Sequence, residues 1–253
     1  YVKDTKKLNN LCEKFNSAKY LAIDTEFIRE KTYWPQLCLI QVYDGKEEVI
    51  IDPLEKELDL SSFFKILNNK KIIKVIHAGR QDIEIFYNLT KKIPQNIFDT
   101  QIAAMVCGFG DSIGYESLVS QLLRKKIDKT SRFTNWLNRP LSKKQLNYAI
   151  SDVTHLFNIY PIIHEKIMQN KRVNWLKEEM EILTSKKTYE LNPDNSWKRL
   201  KIRSLNKKSV GILTELSKWR ELKAQKKNLP RGNIIRDDAI YEICSAQPKN
   251  QED

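Results

Sequence analysis

The sequence predicts an α/β domain built on a mixed sheet, followed by a small all-helical region. Strand-like and helix-like stretches alternate through the first 170 residues. An Asp44-Gly45 turn pair joins two strand-like runs, which sets an antiparallel start. After the polar stretch LNPDNSW at 191–197 the pattern becomes helical and strongly basic.

Taken in order, YLAIDTE (20–26) reads as a strand, QLCLIQVYD (36–44) alternates up to the turn, and EEVIID (47–52) returns as a third strand. SSFFKILNN (61–69) is a short helix, KIIKVIH (71–77) a fourth strand, and RQDIEIFYNL (80–89) a helix that starts where that strand stops. Ile97-Phe98-Asp99 is a short strand leading into the helix TQIAAMVCG. In SKKQLNYAISDVTHLFNIY (142–160), Ser142 and Gln145 form a capping box, and Leu146, Ala149, Ile150, Val153, Leu156 and Phe157 make a helical stripe. Pro161 is expected to kink or end this helix, because its ring removes a backbone donor and clashes with the preceding turn. Residues 209–230 read as one helix with Ile212, Leu213, Leu216 and Trp219 on one face and Pro230 as the stop. The expected division is an α/β domain at 1–170, a connecting helix and linker at 171–195, and a helical region at 196–253. The 58 residues of the last are near the lower size for an independent core.

With 253 residues, 41% hydrophobic and 30% charged, the composition is that of an ordinary soluble protein. No run of about 18 apolar residues occurs and the N-terminal stretch is not a signal peptide, so the expected setting is the cytoplasm, with no membrane. The chain begins at Tyr1 without a methionine and is expected to be a fragment or a processed form. Its four cysteines are scattered without a CxxC pair, which suggests reduced, mostly buried thiols and neither a disulfide framework nor a zinc site. The net charge is +12, and it is unevenly placed. Residues 196–236 hold 13 Lys/Arg against 2 Glu, +11 in 41 residues, while the other 212 sum to +1. Cations gathered on one segment are what a phosphate-binding surface needs, and a solvated helical face would carry the same pattern.

Side chains at i and i+2 of a strand share a face, so Asp24 and Glu26 stand side by side while Thr25 faces away. Two carboxylates that close repel unless a cation lies between them, and hard Mg²⁺ or Mn²⁺ is the usual solution. Acids are also common where a strand runs out into solvent, so the pair alone does not define a site. Asp82 falls in the first turn of a helix that follows directly on a strand, where the helix dipole favours negative charge in any case. Tyr148 and Asp152 are i and i+4 on the capped helix and therefore neighbours. Four acids with a view of one sheet end would hold two cations.

The order Asp-x-Glu, His-x4-Asp, Tyr-x3-Asp resembles the tyrosine-containing branch of the DEDD exonuclease superfamily. DTEF with YWPQLCLIQ, IDPL, HAGRQDIEIF, DTQIAA, Trp136-x3-Pro140-Leu141 and Gln145-x2-Tyr148-Ala149-x2-Asp152 are similar to the bacterial ribonuclease D family over nearly all of residues 20–160. Ser-Lys-Trp-Arg at 217–220 with Leu-Pro-Arg at 229–231 is similar to the first helices of an HRDC domain, which this chain would carry incompletely. The resemblance implies a ribonuclease H-like fold and a two-metal hydrolysis of 3′-terminal phosphodiesters in structured RNA such as transfer-RNA precursors, performed by a monomer that releases 5′-mononucleotides. It implies that Asp24, Glu26 and Asp152 bind one Mg²⁺ or Mn²⁺, that Asp24 bridges to a second held by Asp82, and that Tyr148 positions the attacking water. Thr25 and His77 are the implied substrate contacts, His77 equally fitting a histidine satisfied by backbone. A DNA exonuclease would carry the same motifs. A non-catalytic nucleic-acid-binding protein is expected to have lost a metal ligand, and a phosphatase would want an Asp-x-Asp start and leave Tyr148 without a role.

Overall fold

The computed structural model describes residues 1–128, 130, 134–201 and 206–250, so residues 202–205 of the basic segment lie outside the described residues. The chain divides into two compact units, Tyr1–Ile28 with Leu37–Tyr189, and Arg29–Gln36 with Glu190–Asp253.

The first unit opens with helix α1 (Thr5–Phe15), capped by Asp4, whose carboxylate accepts from the Lys7 amide at 2.7 Å. Strands β1 (Tyr20–Ile28), β2 (Gln36–Tyr43) and β3 (Glu48–Ile51) follow, then α2 (Ser61–Leu67), β4 (Ile73–Ile76), α3 (Arg80–Thr90), β5 (Ile97–Asp99) and α4 (Thr100–Val106). α5 (Tyr115–Leu123), α6 (Lys143–Gln169), α7 (Val173–Leu183) and α8 (Lys186–Tyr189) complete the unit. The sheet runs β3-β2-β1-β4-β5, with β2 and β3 antiparallel and β1, β4 and β5 parallel. A mixed sheet results because the tight turn at Asp44-Gly45 returns the chain antiparallel, while helices carry it back for each parallel strand.

β1 is central and covered on both sides, so Leu21, Ala22 and Ile23 are all buried. Its pleat divides two cores. Leu21 and Ile23 join residues of α1, α2 and α3, whereas Ala22 joins Val75, Phe98 and the inner faces of α4 to α7. The capping box of Ser142 and Gln145 starts α6 as its sequence indicates. The helix does not end at Pro161, however. It continues to Gln169 because Ile163 and Ile167 prolong the buried stripe of Leu156, Ile159 and Tyr160, and that burial offsets the roughly 3 kcal/mol of an interior proline. Residues 171–189 are likewise more than a connector: Leu183 and Tyr189 lie in the same core as α1 to α3. Among the described residues no helix is long and apolar enough to cross a membrane, and all four cysteines are free.

The second unit has a 3₁₀ helix (Pro193–Arg199), α9 (Lys207–Lys227), α10 (Arg231–Ile234) and α11 (Asp237–Ala246) around Leu200, Leu213, Ile240 and Cys244. The buried stripe of α9 is Ser209, Leu213, Ser217, Arg220, Glu221 and Ala224. Trp219 is not on it. Two residues from Ser217, it is rotated about 200° around the helix and stays exposed, against the sequence expectation. The β1–β2 connection belongs to this unit. Tyr33 is buried there, its hydroxyl donating to Glu221 and its ring lying 4.7 Å from the Arg231 guanidinium. Arg231 reaches Glu221 at 2.7 Å, and the Trp34 amide donates to Asn228 at 3.0 Å. Burial pushes the Glu221 carboxyl up, but Arg231 and Tyr33 outweigh it and hold the group below its usual range.

Candidate active site

Asp24 and Glu26 lie on β1, and Asp152 on α6, the helix that covers the Ala22 face of the same strand. One carboxylate oxygen from each comes within 4.8 Å of the others. Asp152 is buried and the two strand acids are half-buried. Burial, followed by the charges of Asp82, Asp152 and Glu26, raises the Asp24 carboxyl well above the carboxylate range. Tyr148, one turn before Asp152, bonds to its carboxylate. Burial first, then Asp152, Glu26 and Asp24, raise the phenol above its ordinary value.

Asp82 stands apart from the three. It sits in the first turn of α3, where the Thr25 hydroxyl donates to it, and of the neighbouring carboxylates it acts most strongly on Asp24. The pleat that turns Thr25 away from Asp24 and Glu26 thus brings it to the fourth acid. Thr25 is buried, and its hydroxyl engages Asp82. Burial raises Asp82 to about 6, with the Thr25 hydroxyl pulling the other way.

Three residues beside the site, Asp99, Thr100 and Tyr115, were given no role by the sequence. Asp99 was legible only as the end of a short strand before a helix, and it does cap α4, accepting from the Gln101 amide at 2.8 Å. The same carboxylate also takes the amides of Ala78 at 3.0 Å and Gly79 at 2.8 Å, clamping the turn between β4 and α3. That turn is demanding: Ala78 has φ +51°, and a Cβ at Gly79 would come 2.1 Å from Ile76. Next in the chain, the Thr100 hydroxyl pairs with His77 Nδ1 at 2.9 Å and donates to the Ile76 carbonyl. His77 is pushed down to about 4 by burial, against a backbone hydrogen bond at Ile113. Tyr115, at the start of α5, donates from its hydroxyl to the Asp152 backbone carbonyl, and its ring lies 5.1 Å from His77.

Asp24, His77, Tyr115, Tyr148, Asp152 and Leu156 line a cleft of about 410 Å³. That volume is within the usual range for small-molecule sites. The approach to α6 is anchored from behind. Arg139 grips buried Asp52 through two bonds of 2.6 and 2.7 Å and also donates to the carbonyls of Trp136 and Cys38, which ties IDPL to the Trp136–Leu141 segment. An all-oxygen set of crowded carboxylates, whose charge burial and mutual repulsion disfavour at Asp24, fits a hard divalent cation such as Mg²⁺ or Mn²⁺ and does not fit a soft one.

Residues 1–168 match the family model described as 3′-5′ exonuclease, and residues 209–253 match that of the HRDC domain. The chain belongs to the 3′-5′ exonuclease family. Within it, the sequence is 46% identical to ribonuclease D of Sphingobium indicum over all of this chain and 65% of the relative. It is 44% identical to ribonuclease D of Bartonella henselae over 94% of this chain and 58% of that protein, so it spans less than two thirds of the length of these relatives. The crystal structure of Escherichia coli RNase D, described as an exoribonuclease involved in structured RNA processing, superposes with a TM-score of 0.91 at 31% identity, covering 98% of this chain and 66% of that one. Brucella melitensis NrnC with bound Mg²⁺ superposes at 0.59 with 25% identity over 67% of this chain and 84% of that one.

Proposed function

We propose that this chain is a metal-dependent 3′-5′ exoribonuclease that trims the 3′ ends of structured RNA, transfer-RNA precursors being the candidate substrate, and releases 5′-mononucleotides. The observation that carries the reading is the meeting of Asp24, Glu26 and Asp152 within 4.8 Å, with Tyr148 bonded to Asp152. Asp24, Glu26 and Asp152 would hold one Mg²⁺ or Mn²⁺, and Asp82 with Asp24 a second. When bound, such a pair stabilises charge on both the attacking and the leaving oxygen of an in-line displacement. The side chains supply the rest. Tyr148, kept protonated by its raised pKa, orients the attacking water and is unsuited to removing its proton near neutral pH. The water oxygen bonds to phosphorus, the P–O3′ bond breaks, and the departing oxygen takes up a proton to become the new 3′-hydroxyl. His77, uncharged above about pH 4, offers the terminal nucleotide a neutral wall beside Tyr115. Thr25 acts through Asp82 by orienting its carboxylate.

The test is hydrolysis of a 3′-extended RNA in Mg²⁺. Asp24→Asn and Asp152→Asn should each lower the rate about 1000-fold or more, since the charge stabilisation at stake is several kcal/mol. Tyr148→Phe should cost about 100-fold, and EDTA should stop the reaction. Wild-type rates in either Asn variant would refute the assignment, and a matched DNA strand measures the sugar preference.

A further inference from the structure

Helix α3 begins without a cap of its own. Gly79 stands at its N-cap position and offers no side chain to the first amides, yet Asp82, three residues on, has to be held in a fixed direction. The anchor comes from the next strand. Ile76 and Asp99 are paired across β4 and β5, which sets the Asp99 carboxylate beside the turn where β4 runs into α3. Asp99 Oδ2 accepts the Gly79 amide at 2.8 Å, while Oδ1 accepts those of Ala78 at 3.0 Å, Gln101 at 2.8 Å and Ile102 at 3.4 Å. One buried carboxylate therefore organises the start of two helices, with one oxygen shared between them and the other given to α3 alone.

The turn needs that hold. Ala78 lies in the left-handed region at φ +51°, which a side chain disfavours, and Gly79 packs so close to Ile76 that no side chain fits there. The Gly79 carbonyl accepts from the Ile83 amide at 3.0 Å, so the first turn of α3, with Asp82 in it, is built directly on that glycine. A tilt of the turn would move Asp82 relative to Asp24. Asp99 commits both oxygens to amides and is not one of the clustered acids.

We propose that Asp99 is a positioning residue for the second cation: by fixing the Ala78–Gly79 turn it aims Asp82, and so sets the affinity with which Asp82 and Asp24 take up Mg²⁺ or Mn²⁺. The proposal rests on the two-cation reading above and adds to it a carboxylate that touches neither ion. A residue that merely caps α4 would leave both cation affinities unchanged.

The experiment titrates Mn²⁺ into the whole chain by electron paramagnetic resonance, with uridine 5′-monophosphate present as the product probe, and reads both affinities without hydrolysis. The second site is the one that Asp82→Asn abolishes. The test variant is Asp99→Asn. With its oxygen in the Oδ1 place, asparagine keeps the amides of Ala78, Gln101 and Ile102 and still caps α4, but it turns an amide donor on Gly79. The second site should weaken about 10- to 100-fold, as when a group that orients a metal ligand is removed, and the first should stay within about 2-fold. The Mg²⁺ needed for half-maximal hydrolysis should rise in step. Ala78→Gly added to Asp99→Asn should recover part of the loss, because glycine takes a positive φ without strain. Should Asp99→Asn fail to fold alone, the same comparison is made between Ala78→Gly and the double variant. Unchanged affinity at the second site, or equal weakening of both, would overturn the proposal. So would a double variant no better than Asp99→Asn, which would assign the effect to lost charge. A wild type that takes up a single Mn²⁺, or hydrolysis that survives Asp24→Asn, would bring down the two-cation reading itself and the proposal with it.

Discussion

Asp24 carries a charge that the metal-free fold disfavours. Burial and three neighbouring carboxylates raise its pKa, and Asp82 is raised to about 6 by burial. A carboxyl whose folded pKa lies above its unfolded value contributes stability that is complete below the unfolded pKa and is lost as pH rises through the folded one. The chelated protein should therefore lose stability as pH rises from the ordinary carboxylate range through about 6. Asp24→Asn should flatten this slope and stabilise the chelated protein at neutral pH by about 0.5–2 kcal/mol, the usual gain when a functional-site conflict is removed. Thermal melting in EDTA over that pH range measures it. A variant that melts at or below the wild type at neutral pH would show that the carboxylates are not in conflict, whereas added Mg²⁺ should stabilise the wild type and leave the variant behind.

At the scale of elements, the site depends on where α6 sits against β1 and on how α3 leaves β4. Arg139 settles the first by closing on Asp52, whose side chain is 1% exposed. Burial pushes the Asp52 carboxyl up, but Arg139 and then Tyr1 outweigh it and hold it low. Arg139→Ala leaves that carboxylate buried without its guanidinium and strips a donor from the Cys38 carbonyl, so a loss of about 3–5 kcal/mol is expected. Arg139→Lys should recover little, because an ammonium cannot make both bonds of the planar fork. Chemical denaturation midpoints decide the matter, and a cost in Arg139→Ala below about 1 kcal/mol would mean that α6 is held by packing alone. Asp99 settles the second by clamping the Ala78–Gly79 turn, a task that falls to a carboxylate because it can accept several amides at once.

At the scale of the molecule, the β1–β2 connection is built into the helical unit through Tyr33, Glu221 and Arg231. The segment that leaves the strand of Asp24 and Glu26 therefore depends on a helix far along the chain, as the 188-residue separation of Tyr33 and Glu221 records. Tyr33→Ala removes a buried ring and one partner of a buried carboxylate, and should cost about 3–5 kcal/mol within that unit. Hydrogen exchange should quicken in residues 29–36 and in α9 and α10, with β1 and α6 keeping their protection. Uniform loss of protection throughout would show that the two units unfold together.

What the sequence determined by itself is whatever a local pattern encodes. Strand alternation, the Asp44-Gly45 turn, the Ser142–Gln145 box and the spacing of Asp24 with Glu26 and of Tyr148 with Asp152 are set within a few residues, and the elements and the local pairing of these side chains were legible from them. Pro161 does not end its helix and Trp219 departed from expectation for one reason: a local rule about helix breaking or apolar character says nothing of what lies against that face. Only the tertiary structure decided that burial carries α6 through its proline, that Trp219 is left in solvent, that Thr25 holds Asp82 and that Arg139 holds Asp52 from 87 residues away. Each depends on which surfaces meet after the chain has closed long loops, and that is settled by packing and charge pairing across the fold, beyond the reach of a short-range period.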